Sequence, residues 1–189
     1  MKKLLYIFTL LTLTSCETKY QNLPAFSARE QVQMVVETPA GSSHEFRYKP
    51  ETNEFKPVQE AGQDKRIGFL PYPVNAGFIP GTRTPANKPL RVLLLNERLE
   101  TGTTLEITPI GVLLLERTGE LEHHLVAVPA RPSERVLEAT YLEELVQDFP
   151  AAKHILETWF LHAEPKKQTR LVGWKDEKFA DQFIRKHLK

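Results

Sequence analysis

Sulfur is nearly absent from this chain: 189 residues hold one cysteine, Cys16, and two methionines. A single thiol excludes an internal disulfide framework and a thiolate metal cluster, so stability has to come from a packed core. An excess of one charge is lacking as well. Lys and Arg number 25 against 24 Asp and Glu, a formal net of +1, which gives no general push toward nucleic acid or anionic membranes. Aromatics interleaved with a basic stripe are missing too, which argues against nucleic-acid binding. There is no internal repeat and no low-complexity tract. The composition that remains is 41% hydrophobic and 26% charged, that of one ordinary globular domain with a sizeable core. Fourteen prolines against nine glycines favour rigid turns and short strands.

The lone cysteine has a context. Met1-Lys2-Lys3 is basic, Leu4 to Leu13 is apolar, and Leu13-Thr14-Ser15-Cys16 follows. The apolar run is too short to span a bilayer and reads as the core of a signal peptide. The tetrapeptide resembles the lipobox of bacterial lipoproteins, which implies cleavage and acylation at Cys16; the plainer reading is a cleaved signal with a chance cysteine. Acyl chains contribute about 0.8 kcal/mol per buried CH₂, enough in combination for stable anchoring. The expected division is a signal peptide over residues 1–15, an acylated tether over 16–31 and a folded domain over 32–189. The expected location is the bacterial cell envelope, on a periplasmic or outer-membrane face.

Within the domain, Gln33 to Val36 and Glu45 to Tyr48 read as strands, separated by the turn chemistry of Pro39-Ala40-Gly41-Ser42-Ser43. A short strand is expected around Phe55. Pro71, Pro73, Gly77 and Pro80 mark a rigid central loop. Leu90 to Leu95, bounded by Pro89 and Asn96, is a continuous apolar run that suits a strand buried on both faces. Thr104 to Leu115 is a long strand region bent at Pro109 and Gly111, with Leu125 to Val128 after a turn at Thr118-Gly119. Past Pro132 the period changes to helical. Leu142, Leu145, Val146 and Phe149 mark one stripe, and Ile155, Leu156, Trp159 and Phe160 a second. Arg170 to Trp174 is a last strand before a helix carrying Phe179, Ala180, Phe183 and Ile184. Strands first and helices late give class α+β, and many short bent strands favour a small closed barrel.

Several ordered motifs then resemble those of family I soluble inorganic pyrophosphatases. Val35-Val36-Glu37-Thr38-Pro39-Ala40-Gly41 is similar to the family's opening strand and turn. Tyr72-Pro73-Val74-Asn75-Ala76-Gly77-Phe78-Ile79-Pro80 resembles its YPxNYGFIP run with one change. Pro109 to Leu113, Gly119 to Glu122, Val126 to Pro129, Trp159-Phe160 and Val172-Gly173-Trp174 continue the likeness. The resemblance implies a five-stranded β-barrel of OB type with C-terminal helices, and a homo-oligomer by family analogy. It also implies hydrolysis of pyrophosphate by Mg²⁺ ions in a carboxylate cage, since Mg²⁺ favours oxygen ligands and bound metal lowers the pKa of water from 15.7 to about 7.

The cage itself is rewritten. The family's metal motif Asp-Gly-Asp-Pro-x-Asp aligns with Ala86-Asn87-Lys88-Pro89-Leu90-Arg91, so none of its aspartates is present. The second tyrosine of the central run is Ala76. Lysine and glutamate of the second strand are Glu45 and Arg47. An aspartate before the Gly-Glu turn is Arg117, its partner is Glu122, the lysine two places on is His124, and a Tyr-Lys pair after the helix is Ala163-Glu164. Glu37 and Tyr72 match, although Glu37 also fits a capping or turn carboxylate, and Lys65, with Arg66 beside it, stands nearest the family's arginine.

Like unit charges about 4 Å apart cost about 4 kcal/mol at an effective dielectric near 20, and a divalent ion beside Lys88 or Arg91 roughly twice that. No cofactor is therefore expected, with Mg²⁺ required only if the family activity is retained. Two readings of the pocket stay open: an inverted ion-pair network that fills it, or a metal-free anion pocket built from Lys65, Lys88, Arg91 and Arg117 with Tyr72. The catalytic candidates for an altered hydrolase are Glu37, Tyr72 and Glu122, with His124 added to the binding set. Glu122 is also the one metal-ligand candidate. It shares a strand face with His124, whereas His123 points to the other face. Phosphate or pyrophosphate is the expected ligand, the membrane the expected neighbour through Cys16, and nucleic acid is not expected.

Overall fold

The computed structural model describes residues 18–189; Cys16 and the leader lie outside them. Strand β1 (Val32–Thr38) is followed by two small hairpins, β2 (Phe46–Lys49) with β3 (Glu54–Pro57), and β4 (Gln59–Glu60) with β5 (Gln63–Asp64). Then come β6 (Asn75–Ile79), β7 (Leu90–Leu94), β8 (Thr104–Arg117) and β9 (Glu120–Pro129). Helices α1 (Leu142–Asp148) and α2 (Pro150–His162), strand β10 (Thr169–Asp176) and helix α3 (Glu177–Lys186) complete the chain.

The main sheet is mixed, in the order β1-β6-β7-β9-β8-β10, and β1 also pairs with β8, so the ladder returns to its first strand. Only β7 and β9 run parallel. The apolar run of β7 is explained by its two faces. Leu90, Val92 and Leu94 enter one core cluster, which α3 caps with Ala180 and Ile184; Leu93 and Leu95 enter the other, beneath Leu145, Leu156, Trp159 and Phe160 of α1 and α2. The bend expected in β8 is a register shift between Pro109 and Gly111. A Cβ on Gly111 would lie 2.8 Å from the Lys175 carbonyl of β10, so the close approach requires glycine.

Three expectations change. The central loop is half strand: Asn75 to Ile79 is buried throughout as β6, because a Cβ on Gly77 would sit 2.0 Å from the Val35 oxygen and the bare glycine lets β1 close in. In the helical stripes, Val146 and Ile155 face outward at 44% and 55% exposure, leaving Leu145, Leu156, Trp159 and Phe160 as the buried contacts. Finally, much of the expected tether lies against the domain. The Tyr20 ring meets Tyr48 and Phe55 edge-on at 5.4 and 5.1 Å, Ala25 is buried, and the Gln33 amide donates to the Pro24 carbonyl at 3.0 Å.

Candidate functional site: a pocket laced with ion pairs

The motif residues of the central run hold the frame of the site rather than its chemistry. Asn75 is fully buried. Its side-chain oxygen accepts from the N–H groups of Ala40 (3.1 Å) and Leu99 (2.9 Å), and its amide donates to the Glu97 carbonyl (2.7 Å). Trp159 Nε1 donates to the carbonyls of Leu70 and Pro71 at 2.8 and 3.0 Å. Thr82 donates to the Ile79 carbonyl and accepts from the Leu90 N–H, closing the connection between β6 and β7. These buried polar groups are satisfied in full, which fixes the loop in one conformation.

Inside that frame lies a cavity of about 1740 Å³. Glu37 enters it from β1 at a bulge: Val36 pairs with Gly77 and Thr38 with Ala76, so Glu37 is the extra residue whose side chain the bulge re-aims. Glu37 is 3% exposed. One oxygen accepts the Tyr48 N–H at 2.8 Å; the other accepts a short hydrogen bond from Arg91 of β7 and has Arg47 of β2 at 3.7 Å.

Charges then alternate around the wall. Arg47 binds Glu45, and Glu45 faces Lys65 at 3.4 Å. Lys65 is 3.1 Å from Glu164, which also accepts from Arg117 at 2.5 Å and from Lys167 at 2.6 Å. Arg117 reaches Glu122 at 3.6 Å, and Glu122 meets His124 Nε2 at 3.1 Å. Among the described residues, Arg117 Nε is buried with no hydrogen-bond partner.

Protonation follows this arrangement. Burial alone would raise the Glu45 carboxyl, but Arg47, Lys65 and Arg91 outweigh it and hold Glu45 below the usual carboxylate range. Glu164 is held low in the same way by Lys167, Arg117 and Lys65, and Glu122 by His124 and Arg117. His124, packed 5.0 Å from the Phe160 ring, is pushed down by burial and by Arg91 and Arg117, against the pull of Glu122. Burial raises the Tyr72 phenol far above its ordinary value, its ring lying 4.4 Å from Trp159. A neutral phenol and a neutral imidazole are thus the resting forms near neutrality.

Of the residues singled out in the sequence, Glu37, Lys65, Arg91, Arg117, Glu122 and His124 meet in this one network, and Tyr72 lines the same cavity. Lys88 lines the same cavity but stands outside the ion pairs: it is exposed in the β6–β7 connection, and its N–H donates to Thr84 Oγ1. His123 and His124 do point apart, His123 stacking on Phe183 of α3 at 4.7 Å. Lys167 was missed because a lysine in a polar turn carries no signal of its own; Arg47, Glu45 and Glu164 were visible only as swapped charges. The set does not fit a hard divalent cation. Each carboxylate in it already faces a guanidinium, ammonium or imidazole, and Arg91 occupies the Glu37 oxygen that a metal would need. Among the described residues, no group of three His, Cys, Asp or Glu side chains is arranged to hold a metal.

A family model described as inorganic pyrophosphatase matches residues 34–189. The chain belongs to the inorganic pyrophosphatase family. An inorganic pyrophosphatase of Mesorhizobium japonicum is 31% identical over 164 residues, covering 82% of this chain and 86% of the relative. Among solved structures, the inorganic pyrophosphatase of Thermus thermophilus superposes with a TM-score of 0.77 at 25% identity, covering 89% of this chain and 95% of that one. The Neisseria gonorrhoeae inorganic pyrophosphatase gives 0.76 at 27%, covering 90% and 96%. The mixed sheet with three helices is the pyrophosphatase fold. At its centre, each of the carboxylates Glu37, Glu45, Glu122 and Glu164 faces a cation of the network.

Proposed function

We propose that this inorganic pyrophosphatase-family chain is an envelope lipoprotein, anchored at Cys16, whose pocket no longer hydrolyses pyrophosphate and instead binds a phosphate-type anion or a protein partner. One observation carries the reading: the pocket carboxylates Glu37, Glu45, Glu122 and Glu164 all face cations of the same network. In-line attack on a phosphoryl group needs metal or equivalent positive charge on both the nucleophile and the leaving oxygen. Here most of the positive charge is neutralised within the wall. The circuit of β1, β6, β7, β9 and β8 is read as an OB-type barrel, with the pocket opening on its side.

A phosphate-type ligand is favoured over a neutral one because the five cations Arg47, Lys65, Arg91, Arg117 and Lys167 share the four carboxylates Glu37, Glu45, Glu122 and Glu164, and by the unpartnered Arg117 N–H. Guanidinium groups suit phosphate oxygens through paired hydrogen bonds. The test is pyrophosphate hydrolysis by the full chain in detergent across Mg²⁺, Mn²⁺ and Zn²⁺. No turnover above buffer is expected, together with a rise in melting temperature on adding phosphate or pyrophosphate. Turnover at the level of an active pyrophosphatase assayed alongside, abolished by Glu122→Gln, would establish the altered hydrolase instead. Absence of any thermal shift with Lys65 and Arg117 intact would remove the anion ligand and leave the partner-binding reading.

A further inference from the structure

The segment between Cys16 and the first packed side chain is short. Tyr20 is locked between Tyr48 and Phe55, and its hydroxyl would lie 2.7 Å from a Cβ on Gly102. Only three residues separate it from Cys16, four steps with a reach of about 14 Å when fully extended. An acyl group at Cys16 would therefore hold the surface around residues 20 to 26 at the bilayer, not at the end of a long leash.

That surface adjoins a corner of unusual charge. Gly81 packs on the N-terminal segment so closely that a Cβ would meet Ala25 N at 2.8 Å and the Leu23 carbonyl at 3.3 Å. The C-terminal residues run antiparallel beside it. Arg83 N–H donates to the His187 carbonyl at 2.7 Å, Lys189 N–H donates to the Gly81 carbonyl at 3.0 Å, and Thr82 bridges Leu188. This backbone clasp gathers Arg83, Lys186 and Lys189, all exposed, around Leu188, which is 43% exposed. All three also line the cavity, but among the described residues none of them has an ion-pair partner, unlike Arg91 and Arg117. Arg185, over the Phe26 ring at 5.3 Å, is already paired with Asp181 at 2.9 Å.

We propose that this corner is a docking surface for an anionic phospholipid bilayer, with Arg83, Lys186 and Lys189 contacting headgroup phosphates and Leu188 entering the interface. The proposal rests on acylation of Cys16 for its geometry. An anchor alone would leave the domain free to turn; cations and an exposed leucine beside the attachment point set one orientation. The near-zero net charge of the chain does not oppose this, because screening over about 8 Å makes the local patch decisive.

The experiment uses the chain from residue 16 onward with Cys16→Ser, which removes the leader and the acyl group, and measures partitioning onto phosphatidylglycerol and phosphatidylcholine vesicles. Binding to phosphatidylglycerol is expected to fall roughly 100-fold in the triple variant Arg83→Gln, Lys186→Gln, Lys189→Gln, at about fivefold per cation, with phosphatidylcholine binding unchanged. A triple variant with the same loss of charge at ion-paired cations, Arg98→Gln, Arg131→Gln and Arg170→Gln, is expected to keep the preference. Equal binding by wild type and the first variant overturns the proposal. So does release from phosphatidylglycerol by pyrophosphate beyond that of sodium chloride at matched ionic strength, which would make the corner a small-anion site. Mass spectrometry of the membrane-extracted chain tests the anchor separately: an unmodified Cys16 with the lipid preference intact overturns the anchored geometry alone.

Discussion

Removing the Arg91 guanidinium leaves the Glu37 carboxylate, 3% exposed, with the Tyr48 N–H at 2.8 Å and Arg47 at 3.7 Å as its remaining polar neighbours. A buried charge stripped of its partner is costly, whereas replacing both partners with neutral groups is often close to harmless. Arg91→Ala is expected to destabilise the chain by about 3 kcal/mol, a fall of roughly 10 °C in Tm for a chain of this size. The double variant Glu37→Gln, Arg91→Met keeps an acceptor for Tyr48 and should recover most of that loss. Thermal unfolding of the two variants and wild type decides it. A loss below about 1 kcal/mol for Arg91→Ala would mean that the pair is screened by water like a surface bridge.

At the scale of elements, the β8–β9 hairpin carries a local conflict. Its turn residues Thr118 and Gly119 both have positive φ, 51° and 86°. Glycine adopts that region freely, but a β-branched threonine does not, and an asparagine-glycine pair is the favoured sequence for such a two-residue turn. Thr118→Asn is expected to stabilise by about 1 kcal/mol, raising Tm by about 3 °C. Chemical denaturation should show the gain without a change in m-value; no gain would mean that the Thr118 hydroxyl bond to the Arg117 carbonyl, at 2.7 Å, offsets the strain. The same hairpin carries Arg117 and Glu122 into the pocket, so its register is part of the site.

At the scale of the molecule, the buried network makes stability depend on pH in one direction. His124 and His123 are both depressed from 6.5, chiefly by burial, so the unfolded chain takes up their protons first as pH falls. Their contribution is complete above about 6.5 and declines below it. Glu45, Glu122 and Glu164 are depressed from 4.5 by their cations, so their contribution holds above that value and is lost as pH falls through the folded-state values. The urea midpoint is therefore expected to drop between about pH 7.5 and about pH 5.5, then more steeply toward pH 4. His124→Gln should reduce the first limb to the share of His123 and weaken the second only by the share of Glu122, which His124 helps to hold low. A midpoint that rises on acidification to pH 5.5 would show that His124 is held as a cation by Glu122.

The sequence by itself determined the alternation of strands, the two-faced burial of β7, the bend at Pro109 and Gly111, the late helices and the family frame. Each of these is written in neighbouring residues, through periodicity, turn chemistry and the steric needs of glycine and proline. Through the family resemblance it also marked Glu45, Arg47, Arg117 and Glu164 as positions where that resemblance implies the opposite charge. Which charge meets which was decided by the tertiary structure, because β1, β2, β7, β8 and the turn after α2 converge on one cavity from distant parts of the chain. That convergence drew Lys167 into the ion pairs and left Lys88 on the cavity lining without one among the described residues. It also turned Val146 and Ile155 to solvent, and folded the segment after Tyr20 onto the domain, because burial depends on what packs opposite and not on spacing along one helix or the polarity of one segment.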